Sequence, residues 1–253
     1  MPFVDVGGAR LEVERIDVGR APAAPIVMLH EGLGSVSMWK DFPHRVAHAT
    51  NRNVLAYSRA GYGRSSPAKL PHGVRYMHDE ALVVLPRLLD ACGIERPILL
   101  GHSDGASIAL IHAAAAGRPV AGLALMAPHV VVEDLSIASI AAAKVAWRTT
   151  DLRAKLARYH DDADGAFTGW NDIWLHPAFR AWTIEGLLRD VRCPILAIQG
   201  EDDEYGTMDQ IERIARLAPD VELVRLADCR HSPHRDQPDA VLEALVRFVD
   251  RLT

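Results

Sequence analysis

Cysteine is scarce in this chain. The three present, Cys92, Cys193 and Cys229, are odd in number, far apart and absent from any Cys-x-x-Cys pair, so neither a disulfide framework nor a zinc site is implied. Basic residues are concentrated nowhere, and 28 Lys and Arg stand against 33 Asp and Glu for a formal charge of −5. Without a cationic patch there is no footprint for a phosphate backbone or an anionic lipid surface, and nucleic acid is not an expected partner. No apolar run reaches the roughly 18 uncharged residues that a spanning helix needs, so no membrane association is expected. The first 16 residues lack a basic segment followed by an apolar core. They alternate apolar and polar residues about Gly7-Gly8, which predicts a hairpin rather than a signal peptide. The expected location is the cytoplasm. Internal repeats and low-complexity tracts are also missing.

What remains is the signature of one large α/β domain, which 253 residues suit well. After the hairpin, apolar runs at 26–29, 53–57, 98–100, 122–126, 195–198 and 223–226 predict buried strands. Helix-period segments at 37–49, 76–92, 106–116, 207–217 and 238–252 separate most of them. Repeated strand-helix alternation predicts a mostly parallel sheet of the eight-stranded type, covered by helices on both faces, with function gathered at the C-terminal strand ends. One interval breaks the rhythm. Residues 129–190 have helical periodicity and no convincing strand, and are expected to form a helical cap inserted into a core made of 1–128 and 191–253. Four of the five tryptophans, Trp147, Trp170, Trp174 and Trp182, fall there with Tyr159, Phe167 and Phe179. Such rings either hold the cap together or line an apolar chamber. Of them, Trp147, Trp170 and Trp174 are the candidates to touch substrate.

Residues 101–105 read Gly-His-Ser-Asp-Gly, after an apolar run and before an alanine-rich segment. A serine on such a strand-to-helix turn is held in a strained conformation with its hydroxyl exposed, and small residues two positions either side let strand and helix approach closely. A serine hydroxyl is a weak nucleophile at neutral pH. It needs a positioned base, and the base needs a carboxylate to fix its tautomer and stabilise its charge. The carboxylate is sought after a later strand, where Gly200 is followed by Glu201-Asp202-Asp203-Glu204, and Asp203 is chosen over Asp202. The base is sought after the last strand, where His231 is chosen over His234. The run His160-Asp161-Asp162-Ala163-Asp164 lacks the ligand spacing of a calcium loop and reads as a polar turn, so no metal and no cofactor are expected.

With these residues on the page the chain resembles the α/β-hydrolase superfamily over essentially its full length. Ser103, Asp203 and His231 follow that family's chain order of nucleophile, acid and base. His231-Ser232-Pro233-His234 matches the family's His-x-Pro-His stretch, and residues 58–65 are similar to its Asp-x-x-Gly-x-Gly-x-Ser turn, with Ser58 in place of the aspartate. Residues 30–35 resemble its His-Gly-x-x-Gly-Ser loop, with Glu31 in place of a glycine.

By this resemblance the oxyanion donors are the N–H groups of Gly32 and Asp104, the latter at a helix N-terminus. The Asp104 side chain is expected to be incidental. Glu31 and Leu33 join the tryptophans as substrate-binding candidates, Glu31 being placed to disfavour acidic substrates. A serine nucleophile implies acyl transfer. The expected function is therefore a cofactor-independent hydrolase of small to medium, mainly apolar carboxylic esters, working as a monomer or homodimer. The same triad also serves C–C, lactone and thioester hydrolysis; a C–C hydrolase would use Arg148, Arg153 or Arg180 to hold an anionic tail. A ligand receptor on the same fold is the alternative outside enzymology.

Overall fold

The computed structural model describes residues 2–19 and 23–252. Met1 of the expected hairpin and Thr253 at the end of the expected core lie outside them. Among the described residues there are eight strands: β1 (Phe3–Val6), β2 (Ala9–Ile16), β3 (Ile26–Leu29), β4 (Val54–Tyr57), β5 (Ile98–His102), β6 (Gly122–Met126), β7 (Ile195–Gly200) and β8 (Val221–Leu226). They form one sheet in the order β1-β2-β4-β3-β5-β6-β7-β8. The six from β4 to β8 are parallel, and β2 joins them antiparallel through β4, carrying β1 as an antiparallel edge. The mostly parallel sheet expected from the sequence is therefore the architecture observed.

Strands β3 to β7 are buried along their whole length, which explains their unbroken apolar sequences. Successive side chains still go to opposite faces. Val27, Leu55, Leu99, Leu123 and Ile195 face one apolar cluster, shared with the helix Asp104–Ala115 and the segment before β7. Ile26, Met28, Ile98, Leu100 and Leu196 face the other, packed by the helices Phe42–Thr50 and Pro238–Arg251.

Two helices differ from expectation, and proline accounts for both. The segment expected at 37–49 is split into a 3-10 turn, Val36–Trp39, and a helix that starts at Phe42, with Lys40 at φ 55° between them. Pro43 sits in the first turn of that helix, the part that tolerates a residue without an N–H. The segment expected at 76–92 is one helical rod interrupted by a π turn, Glu80–Val84, immediately ahead of Pro86. Proline cannot donate to the carbonyl four residues back and its ring crowds that carbonyl, so the rod widens there.

The order of strands places the site. β4 lies on one side of β3 and β5 on the other, so the direction in which strands are added to the sheet reverses between β3 and β5, and a crevice opens at their C-terminal ends. The loop holding Gly32 leaves β3 there, and Ser103 leaves β5. Close approach of β3 to the helix after Ser103 depends on Gly105, where a Cβ would lie 2.1 Å from the Leu29 carbonyl oxygen. The obstacle is backbone and cannot swing aside. Gly105→Ala is expected to lose at least about 2 kcal/mol of stability by overpacking, read from chemical denaturation; an unchanged midpoint would contradict this packing.

Between β6 and β7 the chain forms three helices, Asp134–Thr149, Leu152–Leu156 and Ala163–Trp174, and two 3-10 turns, Pro177–Ala181 and Glu185–Asp190. The acidic run beginning at His160 turns the chain between helices, with Asp162 capping the helix from Ala163 through the Gly165 N–H at 2.8 Å. Among the described residues no helix is long and apolar enough to cross a membrane.

Candidate active site

Ser103 stands between β5 and its helix with φ 52° and ψ −118°. A non-glycine residue in that region costs roughly 1–3 kcal/mol, a strain characteristic of functional turns. Its N–H continues the ladder to the Met126 carbonyl at 2.9 Å, which leaves the side chain aimed away from the sheet. His231 follows β8 and Asp203 follows β7. The Ser103 hydroxyl lies 3.0 Å from His231 Nε2, and His231 Nδ1 lies 2.9 Å from each Asp203 oxygen.

Donors around the carboxylate fix the proton positions. Asp203 Oδ1 accepts from the N–H of Tyr205 at 2.7 Å and of Gly206 at 3.2 Å, and Oδ2 accepts from Gln199 Nε2 at 2.7 Å. Burial works to raise its pKa, but the hydrogen bond and charge of His231 and the Tyr205 N–H outweigh it, and the carboxyl sits below its ordinary value. An ionised Asp203 takes the hydrogen of Nδ1, so Nε2 is left bare to accept the serine proton. Asp202, the alternative acid, is exposed and does not reach the imidazole. His234 is buried against Trp39, with ring centroids 4.8 Å apart, and neither of its ring nitrogens has a hydrogen-bond partner among the described residues. The backbone of His231 is held by His102, whose Nε2 donates to the His231 carbonyl at 2.7 Å.

Neither the Gly32 nor the Asp104 N–H is engaged by an acceptor among the described residues. Both residues line a cavity of about 130 Å³ onto which Ser103 and His231 open. The loop holding Gly32 is rigid by construction. The Glu31 carbonyl accepts from His30 Nδ1 at 2.6 Å and from Arg59 at 2.8 Å. His160 donates to the Leu33 carbonyl at 3.0 Å while accepting from the Gly63 N–H at 2.9 Å. Trp170 packs closely against this loop, and a Cβ at Gly32 would be 2.3 Å from its indole.

The fold and this geometry agree with what comparison finds. The model of the alpha/beta hydrolase family matches residues 26–244. The chain belongs to that family. The hydrolase is 28% identical to the proposed carbamate hydrolase RutD of Pseudomonas savastanoi pv. phaseolicola, over 91% of this chain and 95% of that one. It is 24% identical to the sn-1-specific diacylglycerol lipase ABHD11 of Danio rerio, over 91% and 80%. Among solved structures, the enol-lactonase of Burkholderia xenovorans LB400 superposes with a TM-score of 0.76 at 23% identity, covering 98% of this chain and all of that one (100%). The last likeness is one of fold.

Of the side chains expected at substrate, Glu31, Leu33, Trp170 and Trp174 line the cavity and Trp147 does not. Trp147 is stacked face to face on Phe167, centroids 4.1 Å apart, and Phe167 in turn meets Trp170 edge-on. It packs the helix Asp134–Thr149 against the helix Ala163–Trp174. Arg153 and Arg180 are exposed and paired with Asp164 and Asp134, and Arg148 is exposed; none reaches the cavity.

The sequence reading missed His129, Ile140 and Tyr205, which complete the lining. His129 follows β6 and Tyr205 stands two residues after Asp203, so both were findable from the rule that function collects at strand ends. His129 is pushed down to about 3, by burial first and by the nearby His231 second, and is uncharged at neutral pH.

Two departures from the family pattern acquire definite roles. Glu31 is held at 3.4 Å from His102 Nδ1 and 3.4 Å from Arg235. Burial raises its pKa, yet these partners overcome it and the carboxyl lies well below its usual value. At Ser58 the missing aspartate is replaced from another strand. Glu12 of β2, only 1% exposed, accepts from the Ser58 hydroxyl at 2.8 Å and from the Arg64 N–H at 3.1 Å, and Ser58 Oγ accepts from the Val36 N–H at 2.9 Å.

The Asp104 side chain, expected to be incidental, is 1% exposed and accepts from the Tyr76 hydroxyl at 2.7 Å. A hydroxyl, a guanidinium and a helix N-terminus converge on it because burying a carboxyl without partners is costly.

Proposed function

We propose that this hydrolase cleaves carboxylic esters of small to medium, mainly apolar substrates through an acyl-enzyme. The observation that carries the reading is the continuous hydrogen-bonded line from Ser103 through His231 to Asp203, ending on a cavity. Ser103 Oγ attacks the ester carbonyl as His231 Nε2 takes its proton. The imidazolium is stabilised by Asp203, and the oxyanion by the N–H groups of Gly32 and Asp104, each such donor contributing about a hundredfold to a thousandfold in rate. His231 then returns the proton to the departing alcohol. Water, deprotonated by the same base, releases the acid and restores Ser103. Residues 129–190 serve as a cap over a core of 1–128 and 191–253, with Trp170 and Trp174 as its contacts to substrate.

Size supports the short end of the range. An apolar cavity of about 150 Å³ is enough for benzene, and the one here is about 130 Å³. A volume of that order favours an acyl group a few carbons long. With nitrophenyl esters, kcat/KM for butyrate is expected to exceed that for hexadecanoate by about a hundredfold or more, a discrimination that accumulates over several methylenes. Faster turnover of the long chain, or of a carbamate or lactone of matched size, would replace this reading.

A further inference from the structure

Among the residues lining the cavity, Asp104 carries a carboxyl that the ester chemistry leaves unused. The residue stands beside Ser103, and the two oxygens of its carboxyl differ. Oδ2 is engaged by the Tyr76 hydroxyl at 2.7 Å and lies 3.7 Å from the Arg59 guanidinium. Trp174 Nε1 donates to the Tyr76 oxygen at 3.0 Å, which commits the hydrogen of the phenol to Asp104. Oδ1 is buried and has no partner among the described residues. An acceptor in that state is either a strain on the fold or a place where a ligand supplies the missing hydrogen.

The surroundings narrow the choice of ligand. Among the described residues no Lys or Arg lines the cavity, and Glu31 lines it as a second acid. An acyl group ending in a carboxylate would face both. The Arg59 guanidinium beside Asp104 keeps their combined charge near zero, so the acid does not oppose the negative oxygen forming next to it. Burial nonetheless works on Asp104 to hold its pKa above the ordinary value, against the opposing pull of Arg59, Tyr76, Trp174 and His231, and a donor from substrate would relieve what burial cost remains.

Resting on the serine-esterase reading, we propose that Asp104 is the specificity-determining residue of the acyl pocket. Its Oδ1 accepts a hydrogen bond from a hydroxyl or amino group on the second or third carbon of a short acyl chain. The preferred substrates are then esters of small hydroxy or amino acids, above the plain fatty-acid esters of the same size.

The test is a panel of ethyl esters followed by proton release with the whole protein: butyrate, 2- and 3-hydroxybutyrate, 2- and 3-aminobutyrate, and 3-oxobutyrate, which accepts but does not donate. Each kcat/KM is divided by that ester's rate with hydroxide, which removes differences in intrinsic reactivity. At least one donor-bearing ester is expected to exceed butyrate by about tenfold or more, the usual worth of a hydrogen bond to a charged group, while 3-oxobutyrate does not. The hydroxyl and amino members tell which donor is used.

In Asp104→Asn the amide oxygen must take the Tyr76 hydrogen, which turns the NH2 toward substrate. The ratio of the favoured ester to butyrate is expected to fall about tenfold and the 3-oxo ester to gain. Should Asp104→Asn fail to fold, the wild-type panel decides alone. Donor esters no better than butyrate, with butyrate turnover still abolished in Ser103→Ala, would overturn the specificity proposal and leave the serine reading standing. Butyrate turnover that survives Ser103→Ala would remove the foundation of both.

Discussion

Ser103→Ala is expected to lower kcat on a short-chain nitrophenyl ester by about 10⁴ to 10⁶, with what remains coming from the oxyanion donors and from binding. The loss is large because the other parts of the machinery have nothing to act on without the hydroxyl. His231 Nε2 stays 3.0 Å from an atom that is no longer there, and a water in its place is neither tethered nor aligned. Stability should move by no more than about 1 kcal/mol, since alanine inherits the same backbone strain at φ 52° and gives up one side-chain hydrogen bond. A fluorophosphonate probe should label the wild type and not the variant. Unfolding followed by circular dichroism separates loss of the nucleophile from loss of the fold, and normal turnover in a folded variant would refute the role.

Asp203→Asn carries the second large effect, about 10⁴ in kcat, and its cause lies in hydrogen placement. The N–H groups of Tyr205 and Gly206 demand an oxygen at the position they bond. The new NH2 is left facing Gln199 and His231, where it donates to Nδ1. The imidazole then carries its hydrogen on Nε2, pointing at Ser103, and cannot accept the serine proton. Asp202→Asn, one residue away and exposed, should stay within about twofold of wild type, as expected of a surface change with no buried partner.

The same substitution should show in acid. The carboxyl of Asp203 has its folded pKa below the unfolded value of about 3.9. Its contribution to stability is therefore complete above that value and is lost as pH falls through the folded one. The stability difference between wild type and Asp203→Asn should be full at neutral pH and close as pH drops below about 4. A difference that is constant across that window would contradict an ionised Asp203.

How much of this was legible in the chain follows from the range over which each signal acts. Ser103, Asp203 and His231 each sit just past a strand, and strand ends are marked by local apolar runs and glycines. Chain order then did the rest. The sheet was legible for the same reason, since β3 to β7 are short, continuous and apolar. Trp147 was not, because periodicity tells which side of a helix is apolar and not which neighbour that side meets. Its stacking on Phe167 joins two helices whose crossing no spacing rule supplies. The partners of Asp104 were hidden for a related reason. Tyr76 is 28 residues before it and Trp174 is 98 residues beyond Tyr76, and neither pairing leaves a mark on the local sequence. The π turn at 80–84 lies just ahead of Pro86, inside a segment whose helical period runs on through the proline without marking the widening.

The Glu12–Ser58 exchange has a consequence for anyone who would edit this protein by majority vote. A design that put the customary aspartate back at 58 would lodge two acids in a space already filled by one, where Glu12 is dry and receives both the Ser58 hydroxyl and the Arg64 amide. Mutual repulsion there would be strong, because little solvent is at hand to dampen it. The restoration makes sense only as a swap, with the acid at 12 neutralised in the same step. Position 58 and the outer hairpin are a matched set, and an acid introduced at one end alone would be a foreign part.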